Sequence, residues 1–443
     1  MVGRDIQRVG QEAQGTSSAR RTRYPAGVAR LTDTCLRAAA AAVAASLGIA
    51  ASLVQACSSD DATATSATVD ASTDATTSAD GGGPALDGGA LSDASDAAPV
   101  KPLRPSGPIV ITNASDAGIV GLHVTSDAGP CIVVTGSSHV VIEGSEIGPC
   151  AGNGIEVHGG DDVTIADSFI HPEHPASGCC DTGDGVYVNG TSNVLVQGNV
   201  IAYGEANIEM TKVTHVRVVG NHLVNPRNGQ SRGQNFQVWA GSSDVSVIGN
   251  YALSSFDAKY KYPPKQEDSI NFGFTDGIVA KGNYVVGGQS PSGCGIIADE
   301  AANGAQFLDN VILDTGQCGI SIASGTSAKV DGNRILNRNP VDGGGNTGLI
   351  VWKQYPDPCG PVVMTNNVSS EVKPDMTTES GYWNGGGCEP VTFAGNVLDA
   401  PARALLLPVD VKLPPPPVPP SPRRCVAPAP WVNHTGFAPC GGP

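Results

Sequence analysis

Short runs in which apolar and polar residues alternate recur along most of the chain, as in Val194-Leu195-Val196 and Val245-Ser246-Val247. Each run leads into a Gly-Asn or closely related pair, at Asn199, Asn221, Asn250, Asn283, Asn310, Asn333, Asn367 and Asn396, with weaker copies at Ser145 and Asp167. Successive copies stand 22 to 34 residues apart. A floor near 22 with irregular excess marks a solenoid whose coils carry loops of different length.

The stretch 206–232 reads as one coil. Asn207 to Thr211 alternates with Ile208 and Met210 on one face; Lys212 to Thr214 turns; His215 to Val219 alternates again. Gly220-Asn221 turns the chain, His222 to Val224 forms a third strand, and a loop follows from Asn225 to Gly233. Stacked copies of this unit place strands in parallel with Val, Ile, Leu and Phe inside. Asn suits the turn because it tolerates bent backbone and its amide can bond to copies above and below. The pattern predicts an all-β chain, a right-handed parallel β-helix solenoid of about eleven three-strand coils within residues 108–407. A left-handed helix would show hexapeptide regularity, and a propeller a more uniform period.

Composition agrees. Gly occurs 57 times in 443 residues and aromatics make up only 5%, which suits turn-dense β structure. The formal net charge is −16, and −20 once residues 1–57 are set aside. A surface of that sign repels nucleic acid and anionic head groups, so no nucleic-acid partner is expected.

The first 57 residues read as a signal segment. Arg20, Arg21, Arg23, Arg30 and Arg37 precede the Ala-rich apolar run 38–56, which ends Leu53-Val54-Gln55-Ala56-Cys57. That ending resembles a bacterial lipobox and implies a lipid on Cys57; a plain signal peptide or an uncleaved anchor are the alternatives. A native start near Val28 would shorten the leader. Residues 58–107 are mostly Ala, Ser, Thr, Asp and Gly and read as a flexible acidic tether. Residues 408–443 form a Pro-rich tail with a small loop closed by Cys425 and Cys440. Location in the cell envelope, or secretion, follows, with a monomer expected.

Ten cysteines remain beyond Cys57, which favours disulfides in an exported chain. Register suggests two pairs. Cys359 and Cys388 each stand eight residues before a ladder Asn, and Cys294 and Cys318 each precede a Gly-Ile strand start. Equivalent positions on neighbouring coils lie about 4.8 Å apart, within disulfide reach. Cys131, Cys150, Cys179 and Cys180 supply two more bonds of open connectivity.

Extra length falls between the third strand of one coil and the first strand of the next, in loops 171–183, 225–233, 252–267, 287–293 and 337–346. Loops gathered on one edge mark the first-strand face as a binding face. Alternation turns outward one column of Glu156, Tyr187, Glu209, Gln237, Asn271, Ile297, Ser321 and Ile350. A second runs His158, Asn189, Thr211, Trp239, Gly273, Asp299, Ala323 and Trp352. Tyr187, Gln237, Trp239, Asn271, Asp299 and Trp352 suit a sugar chain: rings cover pyranose faces while amides and acids bond hydroxyls. Glu156 and Glu209, two coils or about 9.6 Å apart, sit at the upper limit for an inverting glycosidase. Unconnected surface acids would follow the same lattice.

The arrangement resembles the pectin-lyase-like superfamily of parallel β-helices over about two thirds of the chain. At one coil it is similar to the chondroitinase B/alginate lyase group: Lys212 lies nine residues before Asn221. The resemblance implies Lys212 as the base beside Glu209, with Glu205 and Asn207 as calcium ligands. The partner arginine expected near Ala240 is absent, and Arg232 is the substitute at hand. The loop from His171 to Asp184 gathers His, Cys and Asp donors, with zinc or calcium at Asp181 and Asp184 as readings beside plain disulfides. Phe256, Lys259, Tyr260, Lys261, Tyr262 and Lys265 form a basic-aromatic loop that would steer an acidic glycan, or simply stay soluble. Three functions stand open: polysaccharide lyase or hydrolase, non-catalytic glycan-binding or adhesive solenoid, and structural envelope protein.

Overall fold

The computed structural model describes residues 102–172, 183–226, 233–254 and 267–417. Strands dominate and pair in parallel along three columns. The first column runs from Ile109–Thr112 through Ile208–Thr211, Phe236–Trp239 and Ile270–Phe272 to Tyr382–Gly386. The second runs from Gly118–Val120 to Val391–Ala394. The third is a sheet of 12 strands from Arg104–Ser106 to Val397–Leu398. The coil proposed from residue 206 onward is therefore real, and it is a parallel β-helix. The strand 104–106 begins before Pro108, and the helix Asp399–Leu406 follows the last strand, packing Ala402 and Leu406 inward. One element reaches into a segment taken as loop, Ser290–Ala298 overlapping 287–293, and the strand Gly316–Ile322 starts ahead of Cys318 rather than after it.

Alternation decides which side chains fill the tube. Val186 and Val188, Ile208 and Met210, Phe236 and Val238 are wholly buried, rung upon rung. The largest of them, Phe236, Phe272 and Phe307, form an internal stack with centroids 5.7 and 5.8 Å apart.

The asparagine ladder is continuous. The backbone N–H and the Nδ2 of Asn199 both donate to Asn221 Oδ1, each at 3.0 Å, and this pair of hydrogen bonds repeats at every step to Asn396. A second Nδ2 proton goes to a second-column carbonyl, as Asn221 to Val196 at 2.9 Å. Each buried amide thereby satisfies itself and the turn it closes. Two refinements follow. The weak copy is Ser168, not Asp167: the Ser168 N–H donates to Asn199 Oδ1, and Ser168 Oγ accepts from the Ser145 N–H. The bent backbone belongs to the residue before each Asn, as in Gly220 (φ 61°) and Gly249 (φ 61°). A glycine takes that left-handed conformation without strain, which leaves the Asn extended and aimed inward.

Disulfides join Cys294 to Cys318 and Cys359 to Cys388, with Cα atoms 4.5 and 4.4 Å apart, as the register requires. A third joins Cys131 to Cys150. Such bonds belong to an oxidising, extracellular or cell-surface setting. Cys57, Cys179, Cys180, Cys425 and Cys440 lie outside the described residues.

Candidate functional site

The two outward columns are in the register that alternation predicts. Glu156 pairs with Tyr187, Tyr187 with Glu209, Glu209 with Gln237, Gln237 with Asn271, and Asn271 with Ile297. Their surroundings differ along the axis. Near the N-terminal rungs the face is half-exposed; at Gln237, Asn271, Asp299 and Ile297 it is covered, and Ile297 and Ile350 pack with Tyr355. The covered stretch holds a cavity of about 210 Å³ whose lining includes Gln234, Gln237, Trp239, Asp268, Asn271, Asp299 and Tyr355.

Asn271 organises this cavity. Its Nδ2 donates to Asp268 Oδ2 at 2.9 Å and to Asp299 Oδ2 at 3.1 Å. The two protons of one planar amide diverge, so the carboxyl oxygens they reach lie roughly 5 Å apart. Asp268 Oδ1 accepts the Cys294 N–H at 2.8 Å. Burial, opposed by those two hydrogen bonds, pushes the Asp268 carboxyl up to about 7. Burial and then the neighbouring Asp299 carboxylate hold the Tyr355 phenol above its ordinary range. Trp239 lies over Gly273: a Cβ there would come 1.6 Å from Trp239 Cζ3. Phe274 meets the same indole edge-on at 5.7 Å.

A second group of acids lies towards the N-terminus. Asn153 Nδ2 donates to Glu156 Oε1 at 2.8 Å, and His158 Nε2 stands 3.2 Å from Glu156 Oε2. Asp184 Oδ1 accepts the Ala206 N–H at 2.9 Å. Burial, and then the charges of Glu209, Glu205 and Glu156, push Asp184 up to about 8. Glu209 is raised by burial and by Glu205. Thus Glu156, Asp184, Glu205 and Glu209 share one neighbourhood, with Tyr187 between the two strand glutamates.

Asn207 does not join them. It is fully buried, and its Nδ2 donates to Asn235 Oδ1 at 2.9 Å, part of an internal polar file that continues to Ser269. The reason is position: Asn207 occupies the turn into the first strand, where Gly154 and Gly185 stand on preceding rungs and the side chain has only the interior to enter. Lys212 sits at the following turn, φ 53°, and forms no ion pair among the described residues. Its N–H bonds Trp239 O, which sets it beside Ala240. Arg232 and Asp181 lie outside the described residues, as does the basic-aromatic loop 256–265. No cluster of three or more His, Cys, Asp or Glu side chains among the described residues has the geometry of a metal site. Trp352 projects at the C-terminal end, 39% exposed, and meets Trp383 at 5.9 Å.

Alternation did not reach Asp268, Gln234 or Asp184 as a set. Backbone bonds from Gly154 to Asp184, Gly185 to Ala206, Asn207 to Gln234 and Ser269 to Cys294 put Asp184, Ala206, Gln234, Asp268 and Cys294 in one file. The file stands two residues before each first-strand apolar residue, a spacing that is readable once the strand starts are known. Tyr355 and Glu300 come from loops and carry no such signal.

No curated protein matches the chain. Among solved structures, two of PfbA, a surface adhesin of Streptococcus pneumoniae, are similar. They share 10% and 9% identity, cover 66% and 68% of this chain and 81% and 76% of theirs, with TM-scores of 0.29 and 0.22. Superposition this loose says nothing of function. Residues 108–251 match the family described as right handed beta helix region, and with the parallel strand columns this makes the fold a right-handed parallel β-helix.

Proposed function

We propose that the protein is an exported hydrolase of polysaccharide, which it holds along the first-strand face. The observation behind this reading is the pair Asp268 and Asp299, tied together by Asn271 in a cavity walled by Trp239 and Tyr355. A separation of about 5 Å suits a retaining glycosidase, where one carboxyl donates a proton and the other attacks the anomeric carbon. Asp268, whose carboxyl stays protonated towards neutrality, is the acid. Its protonated form keeps acceptor capacity for Asn271. Asp299 is the nucleophile. Trp239 and Trp352 stand four rungs apart, roughly 19 Å, and give a sugar chain aromatic platforms on either side of the acids. The lipobox-like end at Cys57 fits a lipid anchor, and the acidic tether a spacer to a monomeric catalytic domain.

The test is incubation of the purified protein with neutral and uronate polysaccharides, with calcium and with chelator. New reducing ends without unsaturation are expected, with retained anomeric configuration. Asp268→Asn and Asp299→Asn should each lower the rate by about a thousandfold or more. Unsaturated ends that need calcium would favour the lyase reading at Lys212. A non-catalytic glycan binder is the second reading, favoured by the exposed Trp352–Trp383 pair, which offers stacking surface away from the acids. Glycan retention with no new ends would establish it.

A further inference from the structure

The last two rungs of the first column end in an aromatic corner. Trp352 closes the strand Thr347–Trp352, and Trp383 stands on the next one, Tyr382–Gly386. They are 39% and 46% exposed, and their rings meet at 5.9 Å with planes 68° apart. Large apolar groups that adjoin in solvent, unlike single scattered ones, mark a binding surface.

The backbone beneath is shaped to hold the corner. Pairing runs from Val351 to Asn384 and then from Trp352 to Gly386, so Gly385 is the extra residue of a bulge. A Cβ on Gly385 would stand 2.5 Å from Trp383 Cη2 and 2.8 Å from Trp352 Cδ1, so both indoles rest over that one glycine. The turn that follows is tied down. Asn384 Oδ1 accepts the Gly386 N–H at 2.8 Å, Glu389 Oε2 accepts the Gly387 N–H at 2.9 Å, and Cys388 is bonded to Cys359. Rings preset on a braced turn lose little freedom when a ligand settles on them.

The corner is separate from the Asn271 cavity. Register places Trp352 two rungs beyond Asp299, roughly 9.6 Å by strand spacing. Ala323 and Ile350, which lie between, are buried in an apolar cluster that Tyr355 packs against. A ligand on the two indoles therefore has no need to enter the cavity.

The surroundings restrict the ligand. The charged side chains beside the rings are Lys353, next to Gly387, and Glu389, one of each sign. With a net charge of −16 over the whole chain, that gives a polyanion no attracting field. Glu389 already accepts from the turn, so a cation is not called for either. Indole faces are covered best by a sugar ring that presents only C–H groups, which requires equatorial hydroxyls and linkages. Planes 68° apart share no flat surface, so they bracket a unit of one chain and do not lie along a packed crystal face.

We propose that Trp352 and Trp383 form a glycan site of their own, which holds a single soluble chain of neutral, equatorially substituted pyranoses, such as β-linked glucose, independently of the acids. The inference rests on the glycan-binding part of the proposed function and not on cleavage.

Calorimetric titration of the full protein tests it, with short oligosaccharides of equal length made of β-linked glucose, β-linked mannose or galacturonate. The glucose series should bind at least about tenfold tighter than the other two and change little with salt. Trp383→Ala should lower its affinity about tenfold. Gly385→Ala, which removes no ring but pushes the two apart, should lower it several-fold. Thermal unfolding is measured alongside, and if one variant fails to fold, the other decides. Equal binding of the three series overturns the inference, as does tighter binding of galacturonate. Glucose binding that survives both substitutions, or that competes less well than adsorption to the crystalline polymer, also overturns it. If chains of any kind bind but neither variant alters binding, this inference alone falls. If no chain binds at all, the glycan-binding reading falls with it. Loss of binding in both variants with no cleavage in the wild type would uphold the corner and remove the hydrolase.

Discussion

The Trp239 indole occupies the space that a side chain at Gly273 would need: an ideal Cβ there falls 1.6 Å from Cζ3 and 1.8 Å from Cε3. Trp239 is held flat on the first-strand face because the next rung offers it no side chain. Gly273→Ala should lift the ring off the face. Glycan affinity should fall about tenfold, the worth of one stacking platform, while thermal unfolding shifts little. Affinity electrophoresis checks this; unchanged retention would take Trp239 out of the binding face.

The ladder makes a stability prediction. Asn250 Oδ1 accepts from the Asn221 N–H and Nδ2, and its own Nδ2 donates to Asn283 and Val218. Asn250→Ala strands several buried groups in a fully enclosed turn. The loss should be about 4 kcal/mol in denaturant unfolding. Asn396 is only partly buried at the end of the file, so Asn396→Ala should cost clearly less. Equal losses would show that the ladder acts otherwise than through buried hydrogen bonds.

Glu371 gives a pH dependence. It is wholly buried on the 12-stranded sheet, and burial pushes its carboxyl up to about 8, with a hydrogen bond from Asn337 and then Lys373 opposing and Asp314 adding. The folded state therefore holds a proton that the unfolded chain releases near pH 4.5. Stability contributed by the protonated form is full at low pH and is lost as pH rises from there to about 8. Glu371→Gln should flatten that slope and stabilise the protein at pH 8.5 by something on the order of 4 kcal/mol. Tm measured from pH 4 to 9 checks it, and parallel curves for the two proteins would refute it.

Lys212 separates the two chemistries. In a hydrolase built on Asp268 and Asp299 it touches no reacting atom, and Lys212→Ala should change turnover by less than about twofold. In a lyase the same change should abolish turnover with unfolding unaltered. One rate measurement on a cleaved substrate decides.

Reduction should act locally. Cys294 donates its N–H to Asp268 and is bonded to Cys318 on the next rung. Cys294→Ser with Cys318→Ser should loosen Asp268 and lower turnover several-fold, whereas the pair at Cys359 and Cys388 should mainly affect stability. Comparison of kcat and Tm for the two double variants tests the distinction.

The repeat, the parallel columns, the inward Val and Ile positions and two disulfides were legible in the linear chain, because strand periodicity and stacking register are local rules applied over and over. The outward register of Glu156, Tyr187, Glu209, Gln237 and Asn271 was legible for the same reason. What covers those residues was not. Asp268 was one acid after a basic loop until two neighbouring rungs brought it to Asn271 and Asp299, and Asn207 read as a ligand until the turn left it only the interior. Burial, hydrogen-bond partners and the resulting proton affinities depend on loops whose lengths follow no period, and only the packed molecule decides them.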